Sequence, residues 1–372
     1  MRTFALISSA TLFIALTIGM SKRHSLVPAT PSEATRPQLS QSCADSISQG
    51  IVCNSANEYA VELMKQRKLS AFIVMQNVQT GALIAFAASQ PKELDVTTRV
   101  LPLSVMKVLI AASWWDHRLP DKTFPVSRAT TKGDVTEQVS IHEMLVNGSD
   151  SAGRQLATAL RAAIGTKEVL NDLTRYGFLS SETNLDNTFW SAVSPSLQSQ
   201  LIPESASISL SEKTPEQEWA DTLSIGETNA RVTGLHISRF MQMIGNGGIM
   251  MGPTARESTD NSRQATNKGT RVIREEAARR VQAGLRDAVQ RGTAQSIATA
   301  LSGIGWQMGG KTGTGPGPLP IGPQSDGWFA GLVFDAKGTA RFTVATYVRH
   351  GGRGGGNAAQ LSAEVAKFVI GK

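Results

Sequence analysis

The stretch SAFIVMQNVQTGALIAFAA, residues 70–88, predicts a β-hairpin. Its two halves, 70–76 and 82–88, are short apolar runs of strand length, and the polar residues Asn77 to Gly81 between them are typical of a turn. Two strands are therefore expected before the first helical stretch of the chain.

A second group of strands is predicted near the other end of the chain. Strands are expected at 305–314, 327–334 and 341–348, with a turn at 335–338, and residues 357–370 follow with helical spacing. The intervening chain is mostly helical in pattern, at 104–115, 140–147, 152–164, 233–244 and 274–289. Because early strands must pair with late ones, we expect an α+β fold with a five-stranded antiparallel sheet flanked by helices, plus a mainly helical subdomain at about 116–300.

Composition is that of a globular protein. The 372 residues are 41% hydrophobic and 18% charged, which suits a sizeable buried core. The net charge of +7 suits proximity to an anionic surface, but no block of five basic residues occurs, so nucleic-acid binding gains no support.

The first residues form a separate segment. An uncharged run from Thr3 to Met20 follows Arg2 and precedes Lys22 and Arg23, which predicts a signal peptide or membrane anchor at 1–24. A buried amphipathic helix is the alternative, but the run has no polar face. We expect export to the periplasm or the outer face of the cytoplasmic membrane, with a linker at 25–54 and the main domain at 55–372.

Cys43 and Cys53 are the only cysteines. In an exported protein they could form a disulfide, and two free thiols are an equally open alternative. The five histidines are scattered along the chain, so no zinc site and no metal is predicted.

The string Ser104-Val-Met-Lys107 has the composition of a nucleophile and its base. Ser104 is expected at a helix start, where free backbone N–H groups and the helix dipole favour negative charge. Lys107, three residues on, shares its face of the helix, and desolvation or a second cation such as Lys311 could lower its pKa until it serves as a base. The plain alternative is that Ser104 only caps the helix.

Two further strings lie downstream. Ser149-Asp150-Ser151 falls between two predicted helices, where it either presents hydroxyls to a cleft or caps the helix from Ala152. Lys311-Thr312-Gly313-Thr314 ends a predicted strand, and its glycine allows close approach of a ligand.

A nucleotide-binding alternative has to be weighed at the same place. Residues 305–312 fit the phosphate-loop pattern GxxxxGKT, but that motif requires a helix from its lysine, and residues 313–320 are rich in glycine and proline. We therefore reject nucleotide binding and expect no cofactor. The glycines of 351–356 are interpreted as a flexible connection, not as a dinucleotide loop.

The three strings in this order resemble the signature of penicillin-binding protein transpeptidase domains and the related serine β-lactamases. The resemblance covers most of 55–372 and includes Asp326 to Gly331 and Gly245 to Gly248. It implies that Ser104 forms an acyl-enzyme, that Lys107 activates it and that Ser149 relays the proton to the leaving amine. The backbone N–H groups of Ser104 and Thr314 would form the oxyanion hole. The implied substrate-binding residues are Ser151, Lys311, Thr312, Gly313 and Thr314.

One departure from the family pattern concerns Ser151. The family usually has Asn there, whose amide bridges the lysine and the substrate, and a hydroxyl cannot donate and accept through two separate atoms. Reduced or altered turnover is therefore an open outcome.

The substrate implied by the resemblance is a peptidoglycan stem ending in D-Ala-D-Ala, or a β-lactam that imitates it. Transpeptidation or D,D-carboxypeptidation is expected, because Glu204, Glu212, Glu216 and Glu218 do not match the loop that activates water in class A β-lactamases. A β-lactamase is the alternative, and a non-hydrolytic β-lactam sensor or envelope scaffold is a further one. Protein partners are not indicated.

Overall fold

The computed structural model describes residues 40–49, 52–131, 133–179, 207–251, 269–316 and 324–371. The expected signal peptide or anchor at 1–24, the linker residues 25–39 and Glu204 lie outside these ranges. Within them, no helix is both long enough and apolar enough to cross a bilayer.

The strands and helices are numbered here in chain order. The strands are β1 (Ser70–Gln76), β2 (Leu83–Ala88), β3 (Thr123–Thr130), β4 (Gly133–Ser140), β5 (Ser207–Ile208), β6 (Ala230–Arg231), β7 (Ile249–Met250), β8 (Thr270–Arg271), β9 (Gln307–Gly315), β10 (Asp326–Phe334) and β11 (Ala340–Arg349). The helices are α1 (Ser40–Gln49), α2 (Asn54–Gln66), α3 (Met106–Asp116), α4 (Ile141–Asn147), α5 (Asp150–Ile164), α6 (Thr166–Arg175), α7 (Glu216–Ser224), α8 (Gly234–Gly245), α9 (Glu275–Gln290) and α10 (Asn357–Ile370).

The predicted five-stranded antiparallel sheet is confirmed, with strand order β2-β1-β11-β10-β9. The early hairpin joins the late strands through β1 and β11, where Phe72 lies opposite Tyr347. Strand β9 pairs with β10 and with no other strand in the part of the chain that the structure describes, so it forms one edge of the sheet there.

Both faces of the sheet are covered, which explains why β1, β2 and β10 are almost continuously apolar. Along β1, Phe72 and Val74 pack into one hydrophobic cluster, together with α3 and α8. The alternate residues Ile73 and Met75 pack into a second cluster, with α2 and α10. The sheet therefore separates two cores, and α3 lies within the first of them.

The inserted subdomain is less uniformly helical than predicted. It contains α4 to α9, but residues 123–140 form the two-stranded hairpin β3–β4. Most of β4 is exposed to solvent. Because these strands bury little on either face, they carry no apolar alternation by which the sequence could have revealed them.

The described residues at the end of the expected linker, 40–49 and 52–54, are folded, which corrects the prediction for them. Helix α1 occupies 40–49, and Cys43 and Cys53 form a disulfide, which decides between the two alternatives for these cysteines. Both sulfurs lie in the second core, next to α2. This segment belongs to the main domain because its cysteine side chains are part of the core.

Candidate active site

Ser104 lies in a single turn of 3-10 helix, Leu103–Val105, that leads directly into α3. Leu103 has a positive φ of 53°, an uncommon conformation for a branched residue that neighbouring segments have to hold in place. Gly226 and Gly313 do so: an added Cβ on Gly226 would be 2.6 Å from the Leu103 backbone, and one on Gly313 would be 3.0 Å from the Leu103 Cβ. Two glycines thus let the loop after α7 and strand β9 close on the serine turn.

Lys107 is fully buried in the first turn of α3 and contacts the serine directly. Its Nζ lies 2.7 Å from Ser104 Oγ, 2.6 Å from Asp150 Oδ1 and 3.2 Å from the Ser224 carbonyl oxygen. Burial lowers the pKa of Lys107, while Asp150 opposes that shift. Gly153 makes the contact with α5 possible, since a Cβ there would be 2.9 Å from Lys107 Cε.

These contacts suit a neutral amine acting as a base. A neutral amine has two hydrogens and one lone pair, and the Asp150 carboxylate and the Ser224 carbonyl are acceptors for the two hydrogens. The lone pair of the nitrogen is then left to face Ser104 Oγ. The arrangement can therefore take the proton of the serine hydroxyl.

Asp150 is a site residue that the sequence analysis missed. It begins α5, and its carboxylate pairs with Lys107 and is 56% exposed, so it lies between the buried lysine and the solvent. Its position in the quoted string, between two serines, was the only signal available from the sequence.

The two serines expected to act do not join the site. Ser149 is the N-cap of α5, and its Oγ accepts a hydrogen bond from the Ala152 N–H. Ser151 is exposed, and its Oγ accepts from Gln155. The helix begins two residues earlier than predicted, at Asp150 instead of Ala152, and Asp150 contacts Lys107 where Ser151 was expected.

Gly148 lies at the edge of the site and presents no side chain to it. It ends α4 with φ 75°, and an added Cβ would be 3.4 Å from Lys311 Nζ and 3.5 Å from Thr293. Gly148 and Asp150 thus meet the two lysines from this side, while the hydroxyl of Ser149 between them accepts from the Ala152 N–H.

Lys311 supplies a second buried amine, on β9. Burial, reinforced by the charge of Lys107, lowers its pKa to about 7. Its Nζ donates to the Thr312 carbonyl at 2.9 Å. When Lys311 is protonated, an anionic ligand in the cavity would offset the cost of burying its charge.

The other residues of this string also reach the site. Thr312 Oγ1 donates to Thr293 Oγ1 at 2.7 Å, and Thr314 Oγ1 accepts from the Gly354 N–H at 3.0 Å. The glycine-rich stretch at 351–356 is therefore a wall of the site rather than only a flexible connection. It also brings Arg353 to the cavity.

The cavity between these elements has a volume of about 270 Å³. Of the predicted residues, the structure gathers Ser104, Lys311, Thr312 and Thr314 in its lining, with Lys107 behind Ser104. Glu212, Glu216 and Glu218 are not among the lining residues. The lining consists of Ser104, Asn147, Gly148, Asp150, Thr293, Lys311, Thr312, Thr314, Arg353 and Gly355.

His117 has two acidic neighbours at the opposite end of α3. His117, Glu168 and Asp172 come together there. Asp172 is fully buried and already accepts hydrogen bonds from Ser113 and Arg175, and His117 lies within hydrogen-bond distance. The carboxylate charge is thus neutralised within the protein, and we interpret this group as a structural network.

The chain is similar in sequence to one known protein family. The family model for the penicillin binding protein transpeptidase domain matches residues 71–369. No curated protein matches the chain.

Several solved structures share the fold. A peptidoglycan glycosyltransferase from Burkholderia ambifaria is 20% identical, with a TM-score of 0.62 over 87% of this chain and 95% of that one. Penicillin binding protein 3 from Mycobacterium tuberculosis, complexed with aztreonam, is 20% identical, with a TM-score of 0.63 over 86% and 77%. The D,D-transpeptidase domain of a peptidoglycan glycosyltransferase from Eggerthella lenta is 18% identical, with a TM-score of 0.61 over 85% and 80%.

Proposed function

The chain belongs to the penicillin-binding protein transpeptidase domain family, and from this premise we propose that it is a D,D-transpeptidase or D,D-carboxypeptidase that works through a Ser104 acyl-enzyme. The observation that carries the proposal is the contact of Lys107 Nζ with Ser104 Oγ at 2.7 Å, with acceptors in place for both hydrogens of the neutral amine. A serine that only capped the helix would not need a buried lysine beside it.

Acylation would begin with binding of the substrate's terminal carboxylate. Lys311 and the Thr312 and Thr314 hydroxyls line one side of the cavity and are suited to an anion. Because β9 is an edge strand, its free side can also pair with an extended peptide. The D-Ala-D-Ala stem, or a β-lactam with its carboxylate, fits both features.

The chemical step is then a proton transfer coupled to attack. Ser104 Oγ attacks the carbonyl carbon while its proton passes to Lys107 Nζ, and the oxyanion would be held by the backbone N–H groups of Ser104 and Thr314. The Lys107 ammonium then gives the proton to the leaving amine as the C–N bond breaks. Ser149 has no place in this route, because its hydroxyl caps α5.

The proposed location follows from chemistry as well as from the sequence. Peptidoglycan lies outside the cytoplasmic membrane, and the buried disulfide suits an oxidising compartment. We therefore propose that the protein is exported to the periplasm or the outer face of the cytoplasmic membrane, with residues 1–24 as signal or anchor.

The direct test is mass spectrometry of the purified protein after mixing with benzylpenicillin, followed over time. We expect one penicilloyl adduct on Ser104, formed in the wild type and absent in Ser104→Ala. An adduct on another residue, or an unchanged adduct in the variant, would remove Ser104 as the nucleophile.

The lifetime of the adduct separates the candidate functions. A long-lived adduct together with release of D-Ala from a stem pentapeptide supports the transpeptidase or carboxypeptidase. Rapid loss of the adduct with hydrolysed penicillin supports the β-lactamase, which Asp150 favours as a carboxylate in the cavity. A stable adduct without any action on stem peptides supports the sensor, and no adduct at all supports the scaffold.

A further inference from the structure

The middle of the catalytic cavity carries a charge that the family resemblance does not predict. The family's usual residue at the lysine is a neutral amide, whereas here the group in contact with Lys107 is the Asp150 carboxylate, at 2.6 Å. Asp150 also lines the cavity that Ser104 opens into. Ser104, Lys107 and Asp150 thus form one hydrogen-bonded chain from the cavity through the buried amine and back to the cavity.

We propose that Asp150 is a positioning residue for acylation: its carboxylate aims the Lys107 lone pair at Ser104 and stabilises the ammonium that forms on proton transfer. This inference rests on the proposed function. Asp150 keeps its own charge throughout. The proton moves only between Ser104 Oγ, Lys107 Nζ and the leaving amine.

The other charges that face Lys107 do not replace this contact. Arg154 lies one turn further along α5, where it pairs with Asp221 at 2.6 Å. Glu227, on the loop after α7, and Lys311, on β9, act on Lys107 only through their charge. Among the described residues, Asp150 is the one ion-pair partner of Lys107.

The carboxylate has opposite effects on two properties of Lys107. It raises the pKa of the amine, which makes Lys107 a stronger base but leaves a smaller neutral fraction at a given pH. Replacing it with an amide keeps an acceptor of the same shape and removes the charge. Asp150→Asn should therefore acylate at lower pH than the wild type but reach a plateau no higher than that of the wild type.

The experiment is the pH dependence of the acylation rate with benzylpenicillin, for wild type, Asp150→Asn and Asp287→Asn. Asp287 is a matched control because it is a half-exposed aspartate that pairs with His142 and Arg291 and has no contact with the cavity lysines. We expect the acid limb of Asp150→Asn to move down by about one to three pH units, the effect of one nearby charge. The acid limb of the pH profile of Asp287→Asn should lie at the same pH as that of the wild type.

A second measurement does not depend on acylation. In protein labelled with isotope-enriched lysine, the pKa of Lys107 can be followed by NMR titration, with its signal assigned by its absence in Lys107→Met. The same downward shift is expected in Asp150→Asn, and Asp150→Ser should give it too if the first variant does not fold.

The outcomes are distinct. A merely structural role for Asp150 would lower the rate at every pH without moving the acid limb, and that result, or an unchanged Lys107 pKa, would overturn the proposal. If the wild type is not acylated at Ser104, the proposed function fails. The NMR titration then still decides whether Asp150 controls the charge of Lys107.

Discussion

Gly148 and Lys311 lie in contact across the cavity, so that an added Cβ on the glycine would be 3.4 Å from the lysine Nζ. Gly148 also has φ 75°, the left-handed conformation that side chains disfavour. The backbone at this position therefore favours glycine, whereas the space would admit a methyl group in ordinary van der Waals contact.

Gly148→Ala should lower the free energy of unfolding by about 1 to 2 kcal/mol, the cost of a side chain in the left-handed conformation. Chemical denaturation measures this. Gly303→Ala is the matched control, because nothing lies within 4 Å of its added Cβ and its φ is not in that region. Equal stability of the two variants would contradict the strain argument.

Lys107→Met should slow acylation by about 10²- to 10⁴-fold, the range for loss of a positioned base. The rate is measured with a fluorescent penicillin, with folding checked by circular dichroism. Lys337→Met, at an exposed turn, should acylate at the wild-type rate. A normal rate in the Lys107 variant would remove it as the base.

Lys311 should make stability depend on pH with a defined sign. Its pKa is about 7 in the folded protein and about 10.4 in the unfolded chain, where lysine is solvated. Below pH 7 both states hold the proton, and the cost of the buried charge is fully present. Above pH 7 the folded state loses a proton that the unfolded state keeps, so this contribution to the free energy of unfolding rises with pH.

The Lys311→Met variant lacks the buried ionisable amine, so this contribution to the pH dependence of its stability is absent. Urea denaturation on either side of pH 7 should show the variant more stable than the wild type at the lower pH, with the difference shrinking at the higher pH. A difference that is the same on both sides of pH 7 would show that the buried amine does not titrate near 7.

The disulfide should stabilise the domain without taking part in the reaction. It joins cysteines ten residues apart, and closing a loop of that size contributes about 2 to 3 kcal/mol by the loop-entropy model. The double variant Cys43→Ala/Cys53→Ala should unfold at a lower temperature by calorimetry. Its acylation rate below that temperature should equal the wild type's, and a slower rate would mean that α1 influences the cavity.

The features predicted best from the sequence are those that depend on local residue patterns, such as the sheet strands and the spacing of Ser104 and Lys107. Strands β1 and β2 are mostly buried and stand out in the sequence as apolar runs, and Ser104 and Lys107 are predicted to lie together because a spacing of three residues puts them on one helical face. Lys311 is predicted as a site residue because it belongs to a string of glycines and threonines at the end of a strand.

What the sequence could not determine depended on single backbone torsions. The left-handed conformation of Gly148 and the N-cap at Ser149 make α5 start at Asp150. As a result Asp150, and not its neighbour Ser151, contacts Lys107. Arg353 reaches the cavity only because Gly354 and Gly355 pack against the backbone of residues 313 and 293. No local pattern encodes such long-range contacts.

The pairing of β1 with β11 sets an order for how the protein can be made. Ser70 lies opposite Arg349, so β1 has no partner on that side until almost 280 further residues have left the ribosome. During synthesis the hairpin at 70–88 must wait with its apolar faces uncovered. A chain of this topology is expected to fold late in translation or after it, and to need shielding by chaperones until the last strand arrives.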